Sequence, residues 1–169
     1  MTHPRPAFDA REPTAGDGLG ALPEWDLGDL YASEDAPELA RDLDWLRAEC
    51  AGFARDYEGK LAALDDEGML AAIRRYERIQ TVSGRVMSFA GLRYYQNTLD
   101  PGRAKFLGDT QTAITDLSTP LVFFALELNR IDDAALDALL VANADLARYK
   151  PVLDRIRAMK PYQLSDELE

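Results

Sequence analysis

The chain is 169 residues long, 47% hydrophobic and 29% charged, and its 30 acidic and 19 basic residues give a formal net charge of -11. That length suits one domain with a real core, and the acidic balance excludes a nucleic-acid-binding module, which needs a basic footprint. The single cysteine, Cys50, excludes an internal disulfide. No uncharged run approaches a membrane span and the N-terminus lacks the apolar core of a secretory signal, so the expectation is a cytoplasmic protein.

Residues 1–21 carry Pro4, Pro6, Pro13, Gly16, Gly18 and Gly20 among few apolar residues, which predicts a disordered leader. A helical domain is predicted over 22–164. It begins with an irregular arm, LPEWDLGDLY, whose Leu22, Trp25, Leu27, Leu30 and Tyr31 are too apolar to be left loose and should lie on the helices. Asp35 is the predicted cap of the first full helix, with Glu38 three residues on. Leu39, Leu43, Leu46, Cys50, Phe53 and Tyr57 then repeat at four and three, a seam that is either the inward face of a bundle helix or a short coiled coil. Cys50 reads as a packing residue on that seam, and Gly59 marks the helix end.

The next helix is the longest. Capped by Asp65 or Asp66, it runs without proline to the Leu99-Asp100-Pro101 break. Gly84, Ser88 and Gly91 share one face at i, i+4 and i+7, which predicts close approach by another helix. Asp100 as cap and Pro101 at the first helical position start a second long helix, and so short a break predicts an antiparallel hairpin. Leu107, Gln111, Ile114, Ser118, Leu121, Ala125 and Leu128 form the predicted seam, facing the glycine side of the partner helix. The run LSTPLVFFALEL should be buried on several sides, with a kink at Pro120.

Ile131-Asp132-Asp133 is read as a further cap, starting a short helix through Leu136, Leu139 and Leu140. Asn143 begins another piece carrying Leu146, Tyr149, Leu153 and Ile156, which Pro151 divides and Pro161 stops. No alternating β-rich run occurs. The predicted fold is all-α, a helical bundle of antiparallel helices with a long central helical hairpin. At the end, Leu164 followed by Ser165, Asp166 and Glu167 reads as the start of a truncated helix over 165–169, or else as an acidic tail.

Chemistry is sparse. His3 is the only histidine, so with one cysteine the chain furnishes neither a usual zinc site nor a Ser/His/Asp or Cys/His nucleophile. No phosphate-binding glycine loop is present, and the Asp132-Asp133 pair is explained by capping. Arg93, Tyr94 and Tyr95, with Gln96, are the candidates for contact with a partner or substrate. The plain alternative has Tyr94 in the core and Arg93 in solvent.

The arm LPEWDLGDLY, the run DPGRAKFLGDTQTAITDLSTPLVFFALELNRIDDAAL and the closing KPYQLSDELE together resemble the N-terminal part of oligoendopeptidase F, a zinc metallopeptidase of the thimet-oligopeptidase type. The resemblance covers roughly residues 21–169 and three stretches match in order. It implies a mostly helical parent about four times this length, enclosing a channel that admits short peptides, with this segment helping to wall it. It places zinc on a His-Glu-x-x-His helix in a C-terminal catalytic half, so no cofactor and no catalytic residue is carried to any position here. The partners implied are that catalytic half and short peptides, with no nucleic acid and no membrane. An isolated domain is also expected to self-associate. The alternative is a free-standing helical interaction or scaffold domain. An in-frame His-Glu-x-x-His beyond Glu169 would discriminate the two.

Overall fold

The computed structural model describes residues 25–162. The predicted leader over 1–21, Leu22 of the arm, and the helix start at Leu164 and 165–169 lie outside the described residues. Within them, no strand is present, and the chain order is α1 (Pro37–Tyr57), α2 (Asp66–Gln96), α3 (Pro101–Ser118), α4 (Val122–Arg130), α5 (Asp133–Ala142), α6 (Ala144–Ala147) and α7 (Lys150–Arg157). The all-α expectation is met.

Helix α1 starts one step later than the sequence suggests. Pro37 occupies the first turn, and Ala36 before it is extended (ψ 131°) with no side-chain cap. The ring of a proline disfavours a helical residue ahead of it, so the proline and not Asp35 fixes this boundary. The heptad seam is as read: Leu39, Leu46, Cys50 and Phe53 are buried, and Leu43 and Tyr57 pack against them. Gly59 ends the excursion at φ 75°, a left-handed conformation that favours glycine.

Asp65 caps α2 through the Gly68 amide, and Asp100 caps α3 by accepting from the Gly102 and Arg103 amides. The α2–α3 pair is the most extensive helix contact in the chain. It is antiparallel, because Phe89 meets Phe106 edge-on at 6.0 Å while the Arg93 carbonyl accepts from Arg103 Nη1 at 3.2 Å. Further along, Tyr76 of α2 stacks on Phe124 of α4 at 4.4 Å. Pro120 does interrupt the second arm: a 3-10 turn over Thr119–Leu121 separates α3 from α4.

The contact face of α3 differs from the predicted seam. Gln111 and Ala125 are exposed, whereas Phe106, Thr110, Ala113 and Leu117 turn inward with Leu107 and Ile114. Thr110 is the one buried α3 residue. The predicted seam therefore holds at Leu107, Ile114, Leu121 and Leu128 and fails at Gln111, where Thr110 takes the inward position. The LSTPLVFFALEL run is also more open than expected. Val122 is 52% exposed and borders a cleft of ≈350 Å³ lined by Glu58, Pro120, Phe123, Leu126 and Arg130.

Phe53 of α1 is the centre of the core. Its ring lies 4.9 Å from Tyr57, 5.9 Å from Tyr76 and 5.3 Å from Phe124. Each such aromatic pair adds about 0.5–1.5 kcal/mol beyond its buried area. Three helices therefore share one aromatic cluster. The C-terminal pieces follow the reading: Asp132 caps α5 through the Ala135 amide, Asn143 caps α6 through Asp145 and Leu146, and Pro151 sits in the first turn of α7.

Candidate functional site

The predicted contact cluster lies where the arm meets the closed end of the hairpin. Arg93 is half-buried and fully engaged: Nε donates to Glu34 Oε1 at 3.3 Å and Nη1 to Gln96 Oε1 at 2.9 Å. Gln96 in turn donates from Nε2 to the Trp25 carbonyl at 2.9 Å. Arg93 and Gln96 thus fasten the arm to α2. Tyr94 is half-buried, and only Tyr95, 68% exposed, presents its ring to solvent, 5.5 Å from that of Tyr94. Around Trp25, Leu27, Tyr31, Phe89, Arg93 and Gln96 runs a cavity of ≈240 Å³. Trp25 itself is largely exposed, against the expectation that the whole arm is packed down.

Tyr31 anchors the arm more firmly. Its hydroxyl donates to Asp42 Oδ2 at 2.5 Å and accepts from Arg85 Nε at 2.9 Å. The Arg85 guanidinium also lies over its ring at 4.6 Å and pairs with Asp42. Burial, followed by the hydrogen bond to Asp42, pushes the phenol up from 10.0 to about 12. A group so held is a fastening, since neither partner is free for chemistry. The buried Cys50 thiol is likewise pushed up, chiefly by burial, which removes the thiolate that reactivity requires.

Gly84, Ser88 and Gly91 do share a face, but it is not the one that α3 covers. Gly84 and Ser88 are exposed, a Cβ on Gly84 would meet nothing within 4 Å, and one on Gly91 would meet only the Tyr95 ring at 3.9 Å. The predicted close approach is therefore absent among the described residues. Helix α2 buries Ile79, Val86, Phe89 and Ala90 instead, because large apolar side chains gain more from burial than a small-residue face does.

Two ties that the sequence reading missed organise the C-terminal part. Glu127 of α4 accepts from the backbone amides of Gly59 and Leu61, at 2.6 Å and 3.3 Å. Arg157 of α7, its side chain only 12% exposed, donates to the Leu128 and Ile131 carbonyls at 2.5 Å and 2.6 Å and pairs with Asp133. A slot of ≈190 Å³ opens beside it between α2, α4 and α7, lined by Ile73, Tyr76, Phe124, Leu128, Val152 and Ile156. The helical spacing of α7 was legible, but a lone glutamate and arginine carry no local signal of a contact across the fold.

No group of three or more His, Cys, Asp or Glu side chains among the described residues is placed to hold a metal ion. No described helix is long and apolar enough to cross a membrane. Fold and site define an all-α module whose polar clusters are structural fastenings. The model of the N-terminal part of the M3 peptidases, described as Oligopeptidase F, matches residues 127–169, a stretch of 43 in a chain of 169. That match supports the resemblance to the N-terminal part of oligoendopeptidase F. It includes Glu127 and Arg157, with helices α5 to α7. The chain matches no curated protein and no solved structure.

Proposed function

We propose that residues 22–164 are the N-terminal helical domain of an oligoendopeptidase F-type zinc metalloendopeptidase, and that they help to wall a channel admitting short peptides. The family match over residues 127–169 carries this reading. The fold supports it, because Glu127, through the Gly59 and Leu61 amides, and Asp145, through Arg74, tie the matched stretch to the upstream helices. The described residues do not fit a zinc ion, so no catalytic step is assigned to them. In this reading a separate C-terminal half supplies the metal through two histidines one helical turn apart, with a glutamate as general base. The working partners are that half and short unfolded peptides. Acidic composition argues against nucleic acid as a partner, and the setting is the cytoplasm.

Reading the coding sequence onward in frame from Glu169 tests the proposal. A His-Glu-x-x-His run downstream supports it. A stop codon directly after Glu169, with no separate gene for such a half nearby, would overturn it in favour of a free-standing helical domain.

A further inference from the structure

We infer that the outer face of the 148–162 segment and the outer face of α5 are the two halves of a contact between copies of this chain. The charges come first. From Arg148 to Lys160 there are five cations and one carboxylate, a local charge of +4 in a chain of -11. From Asp132 to Asp145 there are four carboxylates and no cation, a local charge of -4.

Each segment also carries a strip with apolar residues that is exposed among the described residues. Arg148, Val152, Arg155, Met159 and Tyr162 recur at steps of four, three, four and three. Arg148 and Tyr149 have helical backbone angles, so the strip extends the surface of α7 at its start, and Met159 and Tyr162 follow α7 in the turn and the 3-10 helix over Lys160–Tyr162. All five residues are exposed, Val152 by 55%, Met159 by 60% and Tyr162 by 75%. Among the described residues, Arg148 and Arg155 have no carboxylate partner, whereas Lys150, Arg157 and Lys160 each have one. On α5, Ala134, Asp137, Ala138 and Val141 form the matching strip. All four are exposed, and Val141 is 88% exposed. A seam of this period, left in water, is the surface a second helix covers.

The second copy is the occupant that both observations select. It brings an acidic apolar helix to a basic apolar one, and the slot bordered by Val152 and Ile156 gives a recess for a side chain such as Val141. The two faces adjoin within one copy, since Asp133 of α5 pairs with both Arg157 and Lys160. A two-fold axis between them would make the contact twice, the self-complementary geometry of most dimers. Repulsion between the net negative copies is screened beyond roughly 8 Å at physiological salt, so the short-range match prevails.

Sedimentation of the intact chain from low to high micromolar concentration tests this, with three proteins compared. The unaltered chain forms a dimer. Arg155→Glu and Asp137→Arg, both at exposed positions and checked for unchanged helicity, each weaken dimerisation by about tenfold or more. Mixing the two variants restores it, because each copy then meets a face of opposite charge. A chain that stays monomeric throughout would overturn the inference, as would a dimer indifferent to both variants or a mixture no tighter than its components. A monomer that instead sediments with phosphatidylserine vesicles would overturn it in favour of a lipid surface.

Discussion

The backbone amide of Gly59 donates to Glu127 Oε1 at 2.6 Å, joining two residues 68 apart in the chain. With the second oxygen on the Leu61 amide, the carboxylate does for the 3-10 turn at Leu61–Ala63 what a capping residue does for a helix. Glu127→Ala removes two hydrogen bonds to a charged acceptor, one exposed and one part-buried, a loss of about 1–2 kcal/mol. Urea unfolding measures it. A midpoint unchanged from that of the unaltered chain would show that the tie contributes nothing.

Arg157 is the second such tie. It satisfies the Leu128 and Ile131 carbonyls near the α4 terminus and the carboxylate at the start of α5. Arg157→Met keeps the apolar stem and removes the donors, so it should cost roughly 2 kcal/mol. Hydrogen exchange locates the effect: amides of α4 and α5 should lose protection before those of α1.

Alkaline pH should loosen the arm. The folded phenol of Tyr31 is pushed up to about 12 from 10.0, so the folded state holds that proton more tightly than the unfolded state. Its contribution is therefore complete below pH 10.0 and is lost as pH rises towards about 12. Burial of Tyr76 and the hydrogen bond from Tyr149 to Glu77 also push those phenols up, so ultraviolet titration should show three late phenolates in the unaltered chain, and Tyr31→Phe should remove one of them. A titration in which Tyr31→Phe loses an ordinary step instead would contradict the buried arrangement.

The open glycine face makes the opposite prediction from a close helix contact. A Cβ at Gly84 meets nothing within 4 Å, so Gly84→Ala should stabilise α2 by about 1 kcal/mol through helix propensity alone. A lower urea midpoint for the alanine variant would mean that another surface covers this face in solution.

Much of the fold was legible because its signals are local. The caps at Asp65, Asp100, Asp132 and Asn143 and the left-handed Gly59 are written within four residues of where they act. The α1 seam was legible because its inward positions are all large and apolar. The α3 seam was legible only in part, because the polar Thr110 and not Gln111 lies on the inward face. At the candidate site, Tyr95 is exposed, whereas Arg93 is engaged by Glu34 and Gln96. A pairing of residues 59 positions apart leaves no trace in periodicity.

Turnover of a quenched fluorescent oligopeptide, with and without added zinc, tests the proposal that this chain is the non-catalytic helical part of an oligoendopeptidase F-type enzyme. No cleavage above background is expected in either case. Cleavage that stays with the protein through repurification, stops on chelation and returns with zinc would contradict it.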